Sequence, residues 1–171
     1  EMVIRDWSSD VCSSDLESYL NLGKSDSALE MLRIADGLNP KSPIIMSNLG
    51  QLYHLLGQDD KAIPLWTESA SLDPGFLQVR QFLAKHYRTV RDKDRWIAIM
   101  EEIAALGNAP SDDLATLADF YVSQRRFTDA APLYGRALAA GLDSTRVRET
   151  VRQYPELEQE MTRWNSTTTG Q

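Results

Sequence analysis

Leu49 and Tyr53 lie four residues apart, so they share one face of a helix. The pair recurs as Leu83 with Tyr87 and as Leu117 with Tyr121, each time at the same step, and Tyr19 extends the tyrosine series upstream. Other positions keep that step: Gly23 aligns with Gly57, Ala28 with Ala62 and Ala130, and Pro40 with Pro74. A fixed period of about 34 residues, with apolar residues at helical spacing, predicts one two-helix unit copied several times. A single copy cannot bury its apolar face, so the copies stack. Within a block, small Gly50, Ala84 or Ala118 lets the paired helix approach closely, and the tyrosine fills the space between neighbours. Asp26, Asp60, Asp94 and Thr128, again in register, read as N-caps of the second helix of each block. Pro64 and Pro132 follow near the edge of the first turn, where a missing amide costs little. Pro40 and Pro74 end the second helix and turn the chain into the next block.

The block containing Met46, Leu49, Gly50, Tyr53, Ala62, Trp66 and Pro74 resembles the tetratricopeptide repeat pattern W-x2-L-G-x2-Y, A-x3-F, P. The next block keeps Leu83, Ala84 and Tyr87 but carries Trp96 at the small alanine and Asn108 at the proline; the last keeps Leu117, Ala118, Tyr121, Ala130, Tyr134 and Ala137. The resemblance implies an all-α fold, a right-handed α-solenoid of antiparallel helix pairs forming a tetratricopeptide-like superhelix. The array is expected over 17–142, as a partial repeat 17–42 and repeats 43–76, 77–110 and 111–142. Val147 and Val151 then give Ser144 to Gln153 one apolar stripe among charges, as a terminal cap requires. With a short helix from Glu156 to Trp164 beyond Pro155, the cap is expected over 143–164, and the polar run 165–171 is expected to be disordered. Trp164 is expected to pack against the cap, the alternative being an exposed contact.

The register fails at the start. Asp15 stands where Leu49, Leu83 and Leu117 stand, and Leu16 replaces the small residue. Asp6 to Leu16 is similar to the translation of a common sequencing-library adapter, so residues 1–16 are expected to be a non-native leader on a fragment that lacks its own N-terminus.

With 18 Lys and Arg against 25 Asp and Glu, the chain carries a formal charge of −7, part of it in the leader. A net negative chain argues against nucleic acid, which needs a basic patch. No apolar run approaches membrane-spanning length, so this segment is expected to make no membrane contact. Cys12 is the only cysteine and lies in the leader, so no disulfide framework is expected and the compartment stays open. His54 and His86 are the only histidines; without carboxylates at recognisable ligand spacing, each reads as a helix-surface or groove residue and no metal site or cofactor is expected. Phosphate-loop, nucleophile-elbow and dinucleotide motifs are missing from the sequence, and none of its residues is a catalytic candidate.

In tetratricopeptide arrays the first helix of each pair lines a concave face that holds peptides or protein segments. Carried onto this chain, that face includes Ser47, Asn48, Gln51, His54, Gln78, Gln81, Lys85, Arg88, Asp112 and Asp119. Asn48, Gln51, His54, Gln81, Lys85 and Arg88 form the expected partner-binding set, because amides and cations can bond an extended backbone or a carboxylate. Members that clamp the C-terminal carboxylate of chaperones carry Lys and Asn in one block, Asn in the next, and Lys and Arg in a third. Here only Asn48 matches, with Ser13, Glu17, Gln78 and Phe82 elsewhere, so that role is not expected. The reading is a non-enzymatic interaction scaffold. Its alternative is the C-terminal appendage of a larger enzyme or membrane protein, such as a glycosyltransferase or a secretion or assembly component. A third reading is self-association through the truncated first repeat, with Leu20, Leu22, Leu29 and Leu32 as the contact face.

Overall fold

The computed structural model describes residues 25–168; the leader, Tyr19, Leu20, Leu22 and Gly23 lie outside them. Among the described residues every regular element is a helix: α1 (Ser25–Leu38), α2 (Pro43–Leu55), α3 (Asp59–Leu72), α4 (Leu77–Thr89), α5 (Lys93–Ala105), α6 (Ser111–Ser123), α7 (Phe127–Ala139), α8 (Ser144–Gln153) and α9 (Pro155–Thr168). They fall into two compact units that divide between Asp92 and Lys93, inside the expected block 77–110.

In the first unit α1 packs on α2, α2 on α3 and α3 on α4. Ala28, Leu32, Ala35, Ile45, Leu49 and Leu52 form one buried cluster, with Leu29 and Tyr53 at its margin. Leu29 and Leu32, expected on a self-association face, are thus engaged with α2. The α2–α3 pair is close because Gly50 has no side chain: a Cβ there would stand 2.5 Å from Trp66 Nε1 and 3.2 Å from the Ala62 carbonyl oxygen. Trp66 is fully buried and donates from Nε1 to the Ser47 carbonyl at 3.2 Å, while Ser69 Oγ donates to the Pro43 carbonyl at 2.7 Å. These two bonds tie the second helix of the pair to the backbone of the first.

In the second unit α6 pairs with α7, α5 lies against α6, and α9 packs on both α7 and α8. Ala130 is as completely buried as Ala28 and Ala62, so all three in-register alanines are contact points. Trp96, at the corresponding place in its block, meets Phe120 edge-on at 5.5 Å. The Tyr121 hydroxyl donates to Glu101, and burial together with that bond pushes its pKa up to about 12. Tyr134 donates to Asp119, which also accepts from Arg146 Nε at 3.1 Å; burial foremost raises the Tyr134 pKa as well. Asp143 caps α8 through the Thr145 amide at 2.8 Å, which lowers its own pKa.

Three details depart from the sequence reading, and one regularity goes beyond it. Asp26, Asp60, Asp94 and Thr128 are not N-caps; each is the second residue of its helix, and Gln58 and Arg126 occupy the cap positions of α3 and α7 without a side-chain bond. The aspartates there act on the positive end of the helix dipole instead. Pro64 and Pro132 stand sixth in their helices, inside them, where each removes one bond to the residue four back. The first helices end alike, with Gly57, Arg91 and Arg125, one period apart, all left-handed at φ 73°, 60° and 58°. In each case the next amide bonds back across the turn: Gln58 to Tyr53, Asp92 to Tyr87 and Arg126 to Tyr121, at 2.8 to 2.9 Å. Finally, α9 runs to Thr168, past the expected onset of disorder at Asn165, with Ser166 and Thr167 hydroxyls bonding Arg163 and Trp164 carbonyls.

Candidate functional site

The expected partner-binding residues divide between α2 and α4 of the first unit, three on each. These helices touch: the rings of His54 and His86 lie 6.2 Å apart, nearly perpendicular. Gln51 and Lys85 are equivalent in the repeat register, as are His54 and Arg88, so the two sets lie in matching rows. Lys85 and Arg88 are exposed, and neither meets a carboxylate among the described residues. Gln81 is half-buried. Asn48 is also half-buried, and its Nδ2 is covered yet has no hydrogen-bond acceptor among the described residues. Gln51 differs: at 7% exposure it belongs to the interior of the packing and adds little to a surface. Ser47 is likewise buried. Asp112 and Asp119, on α6 of the second unit, both face Arg146, which stands 3.9 Å from Asp112 and is ion-paired with Asp119.

His54 is not simply a groove residue. The left-handed turn at Gly57 reverses the chain and brings Asp59, the first residue of α3, back against the end of α2. Asp59 Oδ1 lies 2.5 Å from His54 Nδ1, and its Oδ2 lies 3.5 Å from His86 Nδ1. His86 is buried at 7% exposure; His54 and Asp59 are half-exposed. Trp66 and Tyr87 wall the rings, at 5.4 Å from His54 and 5.5 Å from His86. One potential ligand atom from each of the three residues lies within 4.8 Å of the others. The carboxylate missed in the sequence is therefore Asp59. It stands one turn of chain beyond His54 and most of a repeat before His86, which matches no compact ligand motif, but the register held the signal. His86 falls two residues short of one full period after His54, and two residues turn a helix by about 200° and advance it by about 3 Å. Side chains so placed on stacked equivalent helices point at one another.

Family models described as tetratricopeptide repeat match residues 17–75 and 114–148, together more than half of the chain. No curated protein sequence matches. Among solved structures, the chain is similar to a thermophilic TPR protein of Thermus thermophilus, with 18% identity and a TM-score of 0.53 over 82% of this chain and 78% of that one. It is also similar to MamA, with 17% identity and a TM-score of 0.60 over 91% and 90% of the two chains. A MamA double mutant aligns over 99% and 97% at 12% identity, with a TM-score of 0.59. At these identities the likeness is one of fold. With the family models, the in-register alanines and the paired helices in agreement, the chain belongs to the tetratricopeptide repeat family.

Proposed function

We propose that this chain is a non-catalytic scaffold that holds an extended, acidic protein segment along the α2–α4 face of its first unit. The observation that carries the reading is the chemistry left unspent there. Asn48 Nδ2 on α2 is a covered donor without an acceptor among the described residues, and on α4 two cations, Lys85 and Arg88, are exposed and without a carboxylate partner among them. Once the side chains covering Nδ2 shift aside, a partner carbonyl can take up this donor and remove the cost of about 1 to 3 kcal/mol that an unmade buried bond carries. The cations add charge-assisted bonds to carboxylates along or at the end of the segment.

Selection from a displayed peptide library tests this directly. The wild-type chain should enrich acidic sequences, and Lys85→Glu with Arg88→Glu should abolish their binding while leaving the helical content unchanged. Asn48→Ala should weaken the same peptides by roughly five- to thirtyfold, the equivalent of about 1 to 2 kcal/mol for one buried bond. Equal binding of those peptides by the double-charge variant would exclude the face.

A further inference from the structure

We propose that His54, Asp59 and His86 form a binding site for one divalent transition-metal ion, zinc being the best fit. Two imidazoles and a carboxylate are the ligand types that borderline divalent ions take, and three protein ligands leave a fourth position for water or a partner group. A tetrahedral ion with bonds of about 2.0 to 2.1 Å needs ligand atoms roughly 3.3 Å apart. The Asp59 oxygens already stand 2.5 and 3.5 Å from the two Nδ1 atoms, and all three ligand atoms are within 4.8 Å, so closing on an ion takes side-chain shifts on the order of 1 Å. His54 and Asp59 are exposed enough to make them, whereas His86 is fixed in the packing and sets the position of the site. An imidazole that gives Nδ1 to the metal keeps its proton on Nε2, so each histidine binds in its neutral form without net loss of a proton.

The repeat supplies its own control. Positions equivalent to His54 hold Arg88 and Val122, those equivalent to Asp59 hold Lys93 and Phe127, and those equivalent to His86 hold Leu52 and Phe120. The fold packs these places with aliphatic, aromatic or cationic side chains, so stacking of helices does not itself require the ligand set. The field is favourable on balance: His54 and His86 lie in the last turns of α2 and α4, whose negative ends attract a cation. The start of α3 opposes it, and there Asp59 and Asp60 supply compensating charge. A bound ion would tie the first helices of two successive repeats to the start of α3, fixing the spacing of the face to which Lys85 and Arg88 belong.

The test uses the full chain without an affinity tag and with Cys12→Ser, which removes its only thiol. Zinc and cobalt are titrated calorimetrically, and cobalt also by visible absorption, which reports tetrahedral coordination. One ion per chain is expected, with a thermal midpoint that rises with zinc. Replacing an outer-shell partner commonly costs a metal site ten- to a hundredfold, so His54→Gln and Asp59→Asn should each weaken binding by at least about tenfold. Both should also abolish the thermal shift. These two positions are half-exposed and carry the test if His86→Gln fails to fold, which circular dichroism would show. Binding by both variants at wild-type affinity, or no binding to the parent at millimolar zinc, would overturn the site and leave a hydrogen-bonded His–Asp–His cluster only.

Discussion

The three turns that end α2, α4 and α6 impose one backbone conformation on three different residues. Gly57 adopts it without strain, whereas Arg91 and Arg125 hold a Cβ in the left-handed region, which costs roughly 1 to 2 kcal/mol per residue. Arg125 recovers part of this by pairing with Glu156 at 2.9 Å and lying over the Phe127 ring. Arg91→Gly should therefore stabilise the chain, by a few tenths to about 1 kcal/mol once the greater freedom of glycine in the unfolded state is subtracted. Urea denaturation checks it; a lower midpoint would show that the Arg91 side chain contributes more than its backbone costs. Arg91 and Arg125 stand in register with Gly23 and Gly57, but a bulky cation gives no local sign of a left-handed residue, so the shared conformation shows only in the repeating ladder of amide bonds.

Helices lend themselves to sequence reading when their boundaries are set by side chains near in sequence, and resist it when a distant group decides. Ser42 and Pro43 open α2 by local means, the Ser42 hydroxyl accepting from the Ile45 amide. The ends of α3 and α5 are completed from elsewhere. Buried Arg80 donates to the Ala70 carbonyl, and Arg136 donates to that of Ala104, one period on, though the two arginines come from unrelated positions. The last helix is the clearest case. Polar Ser166 and Thr167 suggested disorder, yet α9 is anchored upstream by fully buried Leu157 and by Trp164, whose ring occupies the space above Gly135 on α7. Trp164→Ala should cost about 1 to 3 kcal/mol, less than a fully buried tryptophan because the ring is half-exposed. Hydrogen exchange should show the loss as faster exchange in α9 with α6 and α7 still protected. Unchanged protection of α9 would mean that Leu157 alone docks it.

For the whole molecule, the period identified the family and the positions that pack, because identical contacts recur between copies. What it could not supply was anything made once. The register brings His54 and His86 together, but Asp59 joins them only through the turn at Gly57, and Gln51 retires into the packing although its equivalent Lys85 is exposed. The buried tyrosines of the second unit also give the chain a response to alkali. In the unfolded chain a tyrosine ionises near its ordinary pKa of about 10, while in the folded chain Tyr121 keeps its proton up to about 12 and Tyr134 is raised too. Folding thus retains protons that unfolding releases, so this contribution is intact below about pH 10 and is lost as the pH climbs from there towards about 12. Urea midpoints should fall across that range, and the fall should flatten in Tyr121→Phe; an equally steep fall in that variant would assign the loss to other groups. The contact between Gly50 and Trp66 carries a different message, about how such a gene can change. Ala84 fills the place of Gly50 in the next copy, so recombination joining that first helix to the second helix bearing Trp66 would set a methyl group 2.5 Å from the indole. At this position the two helices of one copy are matched halves, so an exchange that splits them carries a packing cost that an exchange of the whole unit avoids.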